Sequence, residues 1–192
     1  MNTHNSQVVV GYDFSKSSRA AMYRAIAVAK RAPFHVLHFV CVIEPRGSIP
    51  GLPHHGRADY DYAAHVQQAL TDVIAEELRA APIADRVHFY VHARIGTPAD
   101  EILMLAREVG ADLIIVGSKG VTGVERMMLG SVSEHVVREA GCTVEVARPK
   151  TYAYVELLDV ETVEPTHRYV PPHRYTYDQQ CATMRPDEWP LY

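Results

Sequence analysis

Gly117-Ser-Lys-Gly120, followed after nine residues by Gly130-Ser131, places bare backbone at two loop positions and again where a helix can open. Such a pattern suits an anion. Unpaired N–H groups converge with no Cβ in the way, and the positive end of a helix dipole favours negative charge. Glycine at 117 and 120 is expected to let the loop take positive φ and to admit a ligand close to the main chain. Ser131-Val-Ser-Glu134 has the spacing of a capping box, so Ser131 is expected to cap its helix and to offer its hydroxyl to a phosphate oxygen. A phosphate cradle needs a facing partner, and Gly11-Tyr-Asp-Phe-Ser15 supplies one in Asp13. Its carboxylate can accept hydrogen bonds from ribose hydroxyls or an adenine amino group. It can equally serve as a turn-former that helps to cap the next helix, and position alone weighs the two roles evenly.

These groups need a strand, a loop and a fresh helix in that order. Asp112-Leu-Ile-Ile-Val116 reads as a buried strand ahead of the loop, and Ser131 to Ala140 as the helix after it. Up to about residue 150, apolar strand-like runs alternate with amphipathic ones, the pattern of a parallel sheet covered on both faces. Val8-Val-Val10 is the first strand. Ser15 to Ala32 follows as a helix with Ser15 or Ser17 as N-cap and a stop at Pro33, and Phe34 to Ile43 is a second buried strand. Glu44 to about Asp59 is a long loop rich in Pro, Gly and His; Tyr60 to Arg79 carries helical spacing, and Arg86 to Ala93 is the third strand. In Gly96-Thr-Pro-Ala-Asp-Glu101, Thr97 can cap, Pro98 suits the first helical position, and Asp100 and Glu101 favour the dipole. That helix runs to about Glu108 and stops at Gly110, Leu113 to Val116 is the fourth strand, and Cys142 to Ala147 the fifth. Right-handed crossovers make residues 1–150 one doubly wound α/β domain, in which ligands sit beyond the carboxyl ends of the strands where the winding reverses.

At 192 residues the chain is about one domain with an appendage, and 47% hydrophobic content is normal for a globular core. A net charge of −4 argues against a nucleic-acid binder, which would show a basic face. The polar N-terminus leads straight into a short strand, with neither a signal peptide nor a membrane span, so the expected location is the cytoplasm. Cys41, Cys142 and Cys181 are too far apart for a CxxC pair and read as reduced side chains. Residues 151–192 differ: Tyr152, Tyr154, Tyr169, Tyr175, Tyr177 and Tyr192 are interspersed with prolines and little helical period, which reads as an irregular or partly disordered extension.

The glycine spacing fits neither the dinucleotide fingerprint nor the Walker A loop. It does match G-x2-G-x9-G-[ST], the signature of the universal stress protein family, at Gly117, Gly120, Gly130 and Ser131. Val8-Val-Val-Gly-Tyr-Asp13-Phe-Ser15 resembles that family's opening strand, Val36-Leu-His-Phe-Val-Cys-Val42 its second, Gly96-Thr-Pro-Ala-Asp-Glu-Ile102 its G-x-P helix start, and Ala111-Asp-Leu-Ile-Ile-Val-Gly-Ser118 its fourth. The resemblance spans about residues 7–149. It implies a five-stranded parallel sheet in the order 3-2-1-4-5 with helices on both faces, Rossmann-like and of the adenine nucleotide alpha hydrolase type. The full signature marks the ATP-binding members, with Mg²⁺ carried by the nucleotide itself. By resemblance Asp13 contacts ribose or adenine, Val42 and Val116 flank the adenine, and Gly117, Gly120, Gly130, Ser131, Val132 and Ser133 hold the ribose and phosphates. Lys119 lies inside the loop, where it can neutralise phosphate charge or stay a solvated surface lysine.

Other features carry less. His88 and His92 stand four apart on a strand, roughly 13 Å at ~3.3 Å per residue, and cannot share a metal. His54-His55 reads as surface, His38 as a packed and hydrogen-bonded side chain, and His135 as part of a helix face. No Ser/His/Asp ordering, catalytic carboxylate pair or HExxH is legible, so binding is expected rather than catalysis. The fifth strand is an apolar edge, and the resemblance implies a homodimer formed through Cys142 to Ala147. The expectation is an ATP-binding protein with a regulatory or protective part in a stress response. Its rivals are an interaction module working through the dimer edge and the tyrosine-rich extension, with a protein partner for that extension, and a slow ATP hydrolase.

Overall fold

Strands buried on both faces must be apolar at nearly every position, and three segments here meet that demand. Val8, Val9 and Val10 are fully buried, as are Ile114 and Ile115, and Leu37 to Cys41 is almost unbroken. In the computed structural model, which describes residues 5–31, 34–79, 87–120 and 129–149, these runs form the middle of one sheet. The elements in chain order are β1 (Ser6–Gly11), α1 (Lys16–Arg31), β2 (His35–Ile43), α2 (Tyr60–Arg79), β3 (His88–Ile95), α3 (Pro98–Val109), β4 (Leu113–Gly117), α4 (Ser131–Glu139) and β5 (Thr143–Ala147). All four strand pairings are parallel and the order is β3-β2-β1-β4-β5, as the resemblance implies. The chain divides into a unit of residues 1–150 and another of 151–192; the expectations for the second fall outside the described residues.

Alternation along each strand assigns the faces. Val8, Val10, Leu37, Phe39, Cys41 and Ile115 pack with Met22, Ala25 and Ile26 of α1 and Val66, Leu70 and Ile74 of α2. Val9, Val40, Ile114 and Val116 pack with Ile102, Leu105 and Ala106 of α3 and Val136 of α4. Burying each of these large side chains contributes about 1.5–3 kcal/mol, which is why the period-two and helical patterns dictate the layers. Cys41 sits within the first of these layers, and burial pushes its thiol up to about 12, so it stays protonated.

The element ends bear out the sequence reading in some places and depart from it in others. Ser15, not Ser17, caps α1: its Oγ accepts the Ser18 N–H at 3.1 Å. Thr97 is the N-cap of α3 but its side chain makes no capping bond, so the helix start rests on Pro98, Asp100 and Glu101 instead. β3 extends two residues beyond Ala93, because Gly96 N–H donates to Ile43 O at 2.9 Å and holds the strand end on β2. Gly110 ends α3 at φ 64°, the left-handed stop its residue type predicts. The Pro- and Gly-rich loop after β2 is tied down by one side chain. Tyr62 Oη accepts the Ile49 N–H (2.8 Å), donates to Leu52 O (2.6 Å), and its ring stacks on His54 at 4.3 Å. His135 lies on the face of α4, with Nε2 3.7 Å from Asp100 Oδ1. Among the described residues, no helix is long and apolar enough to cross a membrane.

Candidate functional site

The winding reverses between β1 and β4, and the site grows from the turns that leave them. After Gly11 the chain bends through Tyr12, Asp13 and Phe14 into α1. Tyr12 N–H still donates to Val40 O (2.9 Å), and Ser15 N–H already donates to Asp13 Oδ1 (3.1 Å). Phe14 between them holds φ 62°, a left-handed conformation that costs a non-glycine residue about 1–2 kcal/mol. One oxygen of Asp13 is therefore a turn-former. The other, Oδ2, faces the glycine loop: a Cβ on Gly120 would lie 3.0 Å from it.

The loop itself differs from the expectation. Neither Gly117 nor Gly120 has positive φ among the described glycines. Gly117 is glycine because a Cβ there would come 2.7 Å from Ser17 C, 2.8 Å from Ser18 N and 2.9 Å from Ser17 Cβ. The crowding comes from the first turn of α1, so this glycine lets helix and strand end meet. Ser118 then fastens the loop at both ends. Its N–H donates to Ala147 O at 2.9 Å, and its carbonyl accepts the Gly130 N–H at 2.8 Å.

The capping box is also corrected. Gly130 is the N-cap of α4, at φ −76° and ψ 156°, with no side-chain cap. The Gly130–Ser118 bond fixes that residue in the cap position, which moves Ser131 into the first helical turn with its side chain exposed. The first intrahelical bond is Glu134 N–H to Gly130 O (2.9 Å), so the N–H groups of Ser131, Val132 and Ser133 come before it and form the donor end of the helix. The Ser133 hydroxyl donates to Gly130 O at 2.9 Å and is spent within the turn.

These turns enclose a cavity of about 260 Å³. Its lining brings together all nine residues singled out in the sequence: Asp13, Val42, Val116, Gly117, Gly120, Gly130, Ser131, Val132 and Ser133. Lys119 lines it as well, half-buried rather than fully solvated. Sequence reasoning missed Val40, which lies two residues before Val42 on the same strand face, and Pro98 and Ile102 at the start of α3. The strand period could have supplied the first. The other two follow only from the crossover that lays α3 over β1 and β2.

Val42 matters through its main chain. Backbone groups alternate sides along a strand: Val40 O turns toward β1, where it accepts from Tyr12, and Ile43 O toward β3, where it accepts from Gly96. Val42 therefore turns its N–H and C=O toward β1, two residues beyond Val40, the last position at which β1 and β2 pair. A donor and an acceptor stand side by side at the cavity wall, beside the apolar side chains of Val40, Ile102 and Val116. Across the cavity are one carboxylate oxygen and a helix N-terminus. The arrangement can take a flat heterocycle at the valine end, a polyol at Asp13 and an anion at the helix.

A model of the Universal stress protein family matches residues 4–148. The chain belongs to that family. Universal stress protein MJ0531 of Methanocaldococcus jannaschii is 32% identical over 145 residues, covering 74% of this chain and 81% of the relative. The universal stress protein UspA from Lactobacillus plantarum superposes with a TM-score of 0.59 at 22% identity, over 77% of this chain and 100% of its own. A universal stress protein solved in complex with cAMP gives a TM-score of 0.50 at 26% identity, over 76% of this chain and 98% of its own. The five-stranded parallel sheet is thus the family's fold.

Proposed function

We propose that this chain binds an adenine nucleotide, ATP foremost, in the cleft between β1 and β4 and serves as a nucleotide-responsive regulator or protective factor in a stress response. One observation carries the reading: Val42 with its main-chain pair turned toward β1, Asp13 with Oδ2 facing the glycine loop, and Ser131 to Ser133 at the donor end of α4 line one cavity. Adenine offers a ring-nitrogen acceptor beside an amino donor, the complement of a strand N–H and C=O, whereas guanine offers the reverse order. The relative solved with cAMP supports the class of ligand. Mg²⁺ would come with the phosphates, since Asp13 is the one carboxylate in the described lining. That lining contains no imidazole and no second carboxylate, which favours binding over fast turnover. Calorimetry with ATP, AMP, cAMP and GTP tests the reading. Heat is expected with the adenine nucleotides and little with GTP; silence from all three adenine nucleotides at millimolar concentration would end it.

A homodimer through β5 belongs to the same reading. β5 is an edge strand. Ala147 O faces β4, where it accepts from Ser118, so by alternation the N–H groups of Val144 and Val146 point outward. Val144→Pro removes one outward donor and leaves the β4 ladder intact. Light scattering is expected to show the mass of the variant halved while ATP binding persists. An unchanged mass would place the contact elsewhere.

A further inference from the structure

On the sheet face that carries α3, His38 of β2 and His92 of β3 meet. His38 is 7% exposed, and its Nδ1 lies 3.1 Å from His92 Nε2. The ring centres are 5.4 Å apart, which is what that contact gives once a ring radius is added at each end, so the two rings meet edge to edge as hydrogen-bond partners. Tyr90 stacks on His38 with ring centres at 5.1 Å.

The proton inventory follows from one amide. Gln7 Nε2 donates to Asn5 O at 3.1 Å, which turns Gln7 Oε1 toward His38, and His38 Nε2–H donates to it at 2.8 Å. His38 Nδ1 is then the bare nitrogen, and His92 Nε2–H is the donor that fills it. A chain of three hydrogen bonds thus runs one way, from His92 through His38 and Gln7 to Asn5, and it requires His38 to be the neutral Nε2–H tautomer.

We propose that His38 and His92 form an acid-sensitive clasp between β2 and β3, holding one proton between their facing nitrogens and opening when both rings are charged. A first added proton goes to His92 Nδ1 and leaves the shared bond in place. A second has only His38 Nδ1 to occupy, which would set two N–H groups against each other at a 3.1 Å separation. The surrounding charges lean against protonation. Burial holds both rings below the usual imidazole range, and at His92 the neighbouring His38 and Arg94 add to it while Glu108 opposes. The groups on this face are Gln7 on β1, whose N–H donates to Asp112; His88, Tyr90 and Arg94 on β3; and Glu101 and Glu108 on α3, both paired with Arg94. A histidine kept neutral by the fold contributes full stability above its unfolded value of about 6.5 and loses it as pH falls below, because the unfolded chain takes up protons first. The register carries the effect to the cavity wall, since Val40 pairs with His92 and Val42 with Arg94.

Imidazole nitrogen NMR and amide exchange on the full chain without ligand test this. At pH 7.5 both rings are expected as Nε2–H tautomers. Between pH 7.5 and 5.5, protection factors at Tyr90 to Arg94, Val40 and Val42 are expected to fall about tenfold while those of β4 hold. His92→Gln keeps a donor for His38 Nδ1 without a titrating ring, and its β3 protection is expected to be flat over that range. Independent titration of the two rings near the ordinary value, equal loss of protection in β3 and β4, or an unchanged response in His92→Gln would each overturn the clasp. Should that variant fail to fold, the tautomers and exchange of the unsubstituted chain decide it.

Discussion

Replacing Gly117 with alanine is expected to destabilise the domain by about 2 kcal/mol, whatever it does to ligand binding. Two effects oppose each other. Alanine in place of glycine inside a strand gains about 0.5–1 kcal/mol from the unfolded chain's lost freedom. Against this, the new Cβ would sit 2.7 Å from Ser17 C and 2.8 Å from Ser18 N, backbone atoms in the first turn of α1 that cannot swing aside. Overpacking of that kind costs about 1–3 kcal/mol and more where the neighbour is rigid, so the steric term wins. Denaturant unfolding should show the loss directly, with a melting temperature lower by about 4–8 °C. A change under about 0.5 kcal/mol would mean that α1 shifts freely and that Gly117 is not a packing glycine. The outcome bears on any ligand experiment, because a bulky residue at 117 cannot be used to block a phosphate without disturbing the fold.

The second large effect is at Asp13. Asn keeps an oxygen for the Ser15 N–H and is at home in this kind of turn, so Asp13→Asn should leave stability within about 0.5 kcal/mol. It removes the charge from the oxygen that faces Gly120. A hydrogen bond to a charged group is worth about 1.5–3 kcal/mol, hence the affinity for ATP is expected to fall about 10- to 100-fold. Asp13→Ala loses the turn as well and should be the less stable of the two. If Asp13→Asn binds ATP as tightly as the unsubstituted chain, the carboxylate is a turn-former and nothing more.

The layers of this fold were legible because burial leaves a period. Val8 to Val10, Leu37 to Ile43 and Ile114 to Val116 announce strands covered on both faces, and Pro98 and Gly110 bracket α3 by residue type alone. The site was legible as a set of positions but not as a set of roles. Spacing reveals that Gly117, Gly120 and Gly130 recur; it does not reveal that the first accommodates α1 and the third surrenders its N–H to Ser118. Those facts depend on contacts between elements far apart in sequence. The same limit hid Val42's main chain, whose availability is set by where β1 ends. It also hid the histidine pair, since His38 and His92 lie 54 residues apart and only the β2–β3 register brings them together.

The bond from Gly130 N–H to Ser118 O closes the intervening segment at its base. Closure entropy grows only with the logarithm of length, so doubling such a segment would cost about 0.6 kcal/mol. The donor end of α4 is thereby insulated from whatever the enclosed residues become. The anchoring of Gly130 on Ser118 thus sets where α4 begins independently of the length of chain between them.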